Sequence, residues 1–205
     1  MSVHTAILIF AIFCAPCALA QKGKKPEINP IDKIASQANF NLNQFAGKWY
    51  LVAVASECNY LKENNHEVEA TIIKTSVSKG IKEVEHLAVS TFRKLDGICW
   101  EIRQEYQHNK NKGRFVVKAR GSRGKLDVVI AETDYQKYAI IYYQRQRKIT
   151  IKLYARTAAV TDDITRRYEQ LVSQQGIDME FIYYFPTYGY CETADQFHIL
   201  KDLPK

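Results

Sequence analysis

From Trp49 to Arg156 one theme repeats eight times: a short run of alternating apolar and polar residues, then a turn. Successive side chains of a strand point to opposite faces of the pleat, so period-two alternation marks a strand with one covered face. The runs are Trp49–Ser56, Glu67–Val77, Glu83–Arg93, Ile98–Tyr106, Arg114–Arg120, Lys125–Glu132, Tyr135–Gln144 and Lys148–Arg156. The clearest is the last, where Ile149, Ile151, Leu153 and Ala155 alternate with Lys148, Thr150, Lys152 and Tyr154. Turn pairs such as Lys79-Gly80, Asp96-Gly97, Lys112-Gly113 and Thr133-Asp134 separate the runs. Eight strands joined by short turns predict an antiparallel meander, and closing it into a barrel removes the exposed edges. The predicted fold is all-β: an eight-stranded antiparallel up-and-down barrel, or calyx.

Residues 161 to 175 break the alternation. Thr161 is placed to cap a helix with Asp162 and Asp163 in its first turn, and Gly176 stops it. Ile164, Tyr168, Leu171 and Val172 share one face, so the helix is amphipathic and is expected to pack outside the barrel. A tail from Phe181 to Leu200 follows, its Tyr183, Tyr184 and Phe185 expected against the barrel wall. Strand parity gathers Trp49, the Thr133-Asp134-Tyr135 turn and Arg156 at one end, and puts Cys58 at the opposite mouth. An Arg guanidinium over the indole there would be a cation–π contact of about 0.5–2 kcal/mol, plugging that end. Alternation nominates Val52, Val54, Leu87, Val89, Ile102, Val117, Tyr138 and Tyr142 as calyx lining, with inside and outside separated by a one-residue slip. A cavity for a small hydrophobic ligand and a barrel filled by its own side chains are both open at this level.

Ala6–Phe13 is an unbroken apolar run, and Ala18-Leu19-Ala20 is a small-x-small cleavage pattern. These read as a signal peptide over 1–20, and hence a secreted, extracellular protein. Residues 21–38, with Lys22, Lys24, Lys25, Pro26 and Pro30, read as a flexible extension; 39–200 form the barrel domain and 201–205 a tail. With 46% apolar and 25% charged residues the chain is a globular protein, and a net charge of +7 allows an acidic partner without requiring one. Secretion excludes nucleic acid, and no later segment is apolar enough to span a bilayer, so direct membrane insertion is not expected. Without Cys14 and Cys17 of the leader, Cys58, Cys99 and Cys191 remain. Three cysteines in an oxidising compartment leave one thiol over, free or joined to another molecule. Cys58 precedes the polar stretch Lys62, Glu63, Asn64, Asn65 and His66, which exposes it to a partner.

Signs of catalysis are lacking. His66, His86, His108 and His198 show no metal-ligand spacing, and no nucleophile triad or phosphate loop occurs. No cofactor and no metal site are expected, and the chain reads as non-enzymatic.

Three short motifs carry a resemblance. Gly47-Lys48-Trp49 opens the first strand, Thr133-Asp134-Tyr135 turns between the sixth and seventh, and Arg156 closes the eighth. In this order, with a helix following, they resemble the closed end of the lipocalins. Longer stretches, among them Ala88–Trp100, Ala131–Gln136, Lys152–Arg156 and the Tyr184–His198 tail, resemble one branch of that family. Its members are non-enzymatic subunits of a blood plasma complex, the membrane attack complex of the complement pathway of innate immunity. The resemblance implies an intrachain disulfide between Cys99 and Cys191 and an interchain disulfide from Cys58 to the complex's alpha chain, and through it contact with the beta chain and the terminal assembly. A second branch, the alpha-1-microglobulin type, keeps a lone thiol at this mouth for reduction and radical scavenging. A free carrier of small hydrophobic molecules is the third reading. The enzymatic branch places a thiol on the second strand, and Glu67–Val77 has none.

Overall fold

The computed structural model describes residues 28–64, 68–79, 84–109, 112–118 and 124–199. The expected leader, Lys22, Lys24, Lys25, His66 and the 201–205 tail lie outside the described residues. All eight alternating runs form strands: β1 (Gly47–Ala55), β2 (Ile72–Lys79), β3 (Glu85–Leu95), β4 (Ile98–His108), β5 (Arg114–Lys118), β6 (Lys125–Thr133), β7 (Tyr138–Arg145) and β8 (Lys148–Ala155). Each pairs antiparallel with the next, and β1 with β8 closes the barrel. Among the described residues the seam between β4 and β5 is short, with Gln107↔Val116 and His108↔Phe115 in register.

The turn before β7 explains why that strand starts three residues later than alternation alone suggests. Asp134 Oδ1 accepts the backbone N–H groups of Gln136, Lys137 and Tyr138, at 3.1, 2.7 and 3.1 Å. Residues 135–137 are consumed by this Asx turn. The tail adds two further strands. β9 (Ile182–Tyr184) pairs with the upper part of β1, and β10 (Gln196–Ile199) runs parallel to β4 over Trp100–Arg103. Tyr183 is buried, whereas Tyr184 stands half out of the surface.

Two apolar layers share the barrel wall. The inner one fills the lower lumen with Phe40, Phe45, Trp49, Leu87, Phe115 and Ile130 among others. The outer one lies between the barrel and an α-helix, here α3 (Asp162–Gln174), which follows two short ones, α1 (Leu42–Phe45) and α2 (Asn59–Glu63). Tyr168 and Val172 of α3 are fully buried against Ala53, Ala55, Ile140, Ile151 and Leu153. Burial on this scale stabilises by about 1.5–3 kcal/mol per large side chain. The Tyr168 hydroxyl donates to the Ile151 carbonyl at 3.0 Å, so its polar end is satisfied within the layer. Arg167 clamps the same helix to Glu132 of β6 at 2.8 Å. Thr161 does occupy the N-cap, but its side chain makes no capping bond; Asp162 and Asp163 add negative charge in the first turn, where the helix dipole favours it.

The outer layer corrects three of the lining assignments. A register shift in β1 between Leu51 and Ala53 leaves Val52 and Ala53 both on the outer side. Val54 then returns to the lumen. Tyr138 and Tyr142 of β7 also belong outside, while Ala139, Ile141 and Tyr143 point in. A bulge or a single-residue slip exchanges the two faces, and both faces here are apolar. Leu87, Val89 and Val117 line the inner cluster, and Ile102 is on the inward face opposite Thr91.

The N-terminal extension needs a correction as well. Residues 28–38 are held against the barrel rather than flexible. Pro30–Lys33 form a 3-10 turn, with Ile31 and Ile34 buried in the outer layer. The Ile31 N–H donates to the Gln144 side chain at 2.8 Å, the Gln37 N–H to the Ile130 carbonyl at 2.9 Å, and Arg114 to the carbonyls of Ile31 and Ile34.

Candidate functional site: a plugged end and a basic mouth

The closed end is built around Trp49, fully buried. Its indole N–H donates to the Phe45 carbonyl at 2.9 Å, and its ring stacks on Phe45 with centroids 5.0 Å apart. Arg156 lies over the indole, its guanidinium carbon 3.6 Å from the ring centroid. The guanidinium also donates to the carbonyls of Gln44, Ala46, Lys48 and Tyr135, at 2.9–3.1 Å. Thus Arg156 gathers the orphan carbonyls at the end of α1 onto one planar fork. Gly47 makes room for it. Its φ is +112°, and a Cβ there would meet Arg156 Nη1 at 3.0 Å. Thr133 Oγ1 donates to the Tyr138 carbonyl and accepts the Tyr135 N–H, so the turn motif is tied to the same end.

The open mouth holds Cys58, three residues past β1, exposed and unpaired. Its N–H donates to Ser56 Oγ at 3.2 Å, and Ser56 Oγ meets Thr150 Oγ1 at 3.1 Å. The loop expected here carries α2, whose Lys62 ammonium sits 4.0 Å above the Phe181 ring. Cys99 and Cys191 form a disulfide on the outer wall, with Cys191 buried beside Ile72 and Phe92. Reciprocal hydrogen bonds between Cys99 and Asp195 bring the following segment alongside β4.

Two hollows meet at Cys58. One, of about 340 Å³, enters the upper lumen past Leu51, Val54, Thr91 and Phe185; the other, of about 610 Å³, follows the β7–β8 hairpin past Arg145, Arg147 and Lys148. Lys152 of β8 lines both. Burial, and secondarily the charge of Arg93, pushes its ammonium down to about 8, and the Tyr143 ring lies 4.9 Å from it. Burial, with hydrogen bonds to Tyr106 and Tyr154, holds the Tyr143 phenol well above its ordinary range. Alternation had no means of finding Lys152 and Arg93 as lumen residues, since it reads a charged position as the solvent side. Among the described residues, no group of three or more His, Cys, Asp or Glu side chains is placed to hold a metal ion, and no helix is long and apolar enough to cross a membrane.

A barrel plugged by Gly47, Trp49 and Arg156 and open at Cys58 agrees with the family comparison. The chain belongs to the lipocalin / cytosolic fatty-acid binding protein family, whose profile matches residues 46–188. Within it, the chain is 43% identical to the complement component C8 gamma chain of Oryctolagus cuniculus, over 99% of both chains. Protein AMBP of Pleuronectes platessa is 30% identical over 78% of this chain, which spans 46% of that relative's length. A solved siderocalin, Ex-FABP, shares the fold with a TM-score of 0.60 at 21% identity, over 71% of this chain and 96% of its own.

Proposed function

We propose that the chain is a secreted, non-enzymatic subunit of complement component eight, joined to that component's alpha chain by a disulfide from Cys58. Through the alpha chain it would contact the beta chain and the terminal membrane attack complex without inserting into the bilayer itself. The observation that carries this reading is the division of the three cysteines: Cys99 and Cys191 satisfy each other, and Cys58 stands exposed at the mouth. The end-to-end likeness to a C8 gamma chain supports it. A single exposed disulfide does not select one partner among many thiols, so noncovalent complementarity around the mouth has to come first.

Electrophoresis of the plasma protein, with and without reductant, tests the covalent step. A larger species that collapses on reduction is expected. Cys58→Ala should lose that adduct yet still co-purify with the alpha chain at low micromolar concentration, an affinity of about −8 kcal/mol. A monomer carrying a titratable thiol, with no association, would overturn the subunit reading in favour of the thiol-reductant one.

A further inference from the structure

We infer that the rim formed by the ends of the β5–β6 and β7–β8 hairpins, outside the lumen, is a docking surface for a sulfated polysaccharide. Four adjacent strands each carry a cation as their last residue at this end: Lys118 on β5, Lys125 on β6, Arg145 on β7 and Lys148 on β8, all exposed. The two hairpins set them in like-charged pairs, Lys118 opposite Lys125 and Arg145 opposite Lys148. Like charges directly across a strand pair destabilise the sheet, and a polyanion laid over them relieves that cost. Asp127 answers Lys125 at 3.1 Å; among the described residues no carboxylate forms an ion pair with Lys118, Arg145 or Lys148. The β7–β8 turn adds Arg147. Gln146 and Arg147 have φ of +49° and +68°, a conformation that glycine and asparagine adopt at lower cost, so an arginine stands at the tip where a smaller residue would be more stable.

The layout of these charges favours a linear polymer. Neighbouring strands lie about 4.8 Å apart, so the four strand ends make a row about 14 Å long. A hollow of about 610 Å³ runs beside the row past Arg145, Arg147 and Lys148. Among the described residues, the large apolar side chains that stand exposed, such as Met179, Tyr188 and Phe197, all lie outside β5, β6, β7 and β8. A folded protein partner seeks apolar anchors at the centre of its interface, and an amphipathic membrane-binding surface buries them among the headgroups. This rim presents ammonium groups and planar guanidinium forks instead, donors suited to fully ionised oxyanions such as sulfate groups.

The test uses the full chain without its apolar leader and with Cys58→Ala, so that neither the thiol nor the alpha chain takes part. Binding of a heparin-derived octasaccharide is measured by calorimetry at about 0.15 M salt. Micromolar affinity is expected, falling steeply as salt rises, because each cation that meets a sulfate releases a counterion. Arg145→Gln with Lys148→Gln should weaken binding about tenfold, whereas the matching double change at the closed end, Lys79→Gln with Lys137→Gln, should leave it within about twofold. Near-ultraviolet circular dichroism confirms a folded barrel in each variant. De-sulfated heparin, which keeps only its carboxylates, should bind about tenfold more weakly than the sulfated form. Equal losses in the two double variants would mean that net charge alone attracts the polymer, and overturn the proposal. So would an absence of binding at that salt, or tighter binding to polyglutamate or to phosphatidylserine vesicles, which would give the rim to an acidic protein segment or to a membrane. Because no partner chain is present, the result stands apart from the subunit reading.

Discussion

Replacing Arg156 by alanine should cost about 3 kcal/mol of stability. The cation–π contact at 3.6 Å over a fully buried indole accounts for about 1–2 kcal/mol. The four short hydrogen bonds to Gln44, Ala46, Lys48 and Tyr135 come next. Their carbonyls are part-buried or exposed at the outer rim of the closed end, where water replaces the lost donors, so about 0.5 kcal/mol each is the fair figure. The sum exceeds 3 slightly, and such terms overlap because one side chain makes them all. Urea unfolding should show a lower midpoint with an unchanged slope, and the melting temperature should fall by roughly 6–12 °C. Arg156→Lys should recover less than half, since an ammonium keeps the charge but not the planar fork. A loss below about 0.5 kcal/mol would refute the reasoning, because it would mean that neither the stacking nor the carbonyl cluster holds the closed end together. Association at the Cys58 mouth should be unaffected.

Gly47→Ala should destabilise by about 1–2 kcal/mol, as a Cβ at φ +112° is strained and also pushes on Arg156; thermal melts would read it. Separating Cys99 from Cys191 by a Cys99→Ala, Cys191→Ala double substitution opens a loop of 92 residues and should cost at most roughly 4–5 kcal/mol, measured by denaturant titration. Lys152→Met should stabilise the protein at pH 7 by on the order of 1–3 kcal/mol. Burial lowers this lysine from 10.5 to about 8, so its charge works against the fold at neutral pH, and the gain should fade as pH rises from 8 past 10.5. Burial works to raise the Glu132 carboxyl, but hydrogen bonds from Arg167 and Tyr138 prevail and lower it. The clamp on α3 is therefore present above the ordinary carboxylate range and lost as pH falls through the lowered value. Arg167→Gln should cost under about 1 kcal/mol at pH 7, and less as the melts are titrated towards acid.

Alternation and turn residues alone determined that this chain makes eight antiparallel strands followed by an outer helix. They also determined that Trp49 and Arg156 share the end opposite Cys58. These are local and parity properties: side chains alternate along any strand, and an up-and-down meander returns to the same end every second strand. Which face of β1, β7 and β8 points inward was decided only by the tertiary structure. In β8 the apolar residues Ile149, Ile151 and Leu153 face outward into the layer shared with α3, and Tyr154 and Lys152 face the lumen. The helix and the segment around Ile31 and Ile34 cover the outside of β1, β6, β7 and β8, so both faces there are sheltered from water and polarity no longer tells them apart. The bulge in β1 then keeps Ala53 out beside Val52 and turns Val54 in, an exchange that a single skipped pairing produces and that no composition records. A lysine reads as solvent-facing by residue type, yet Lys152 stands inside the barrel, because the strand's register with β1 and β7 sets its direction regardless of its charge.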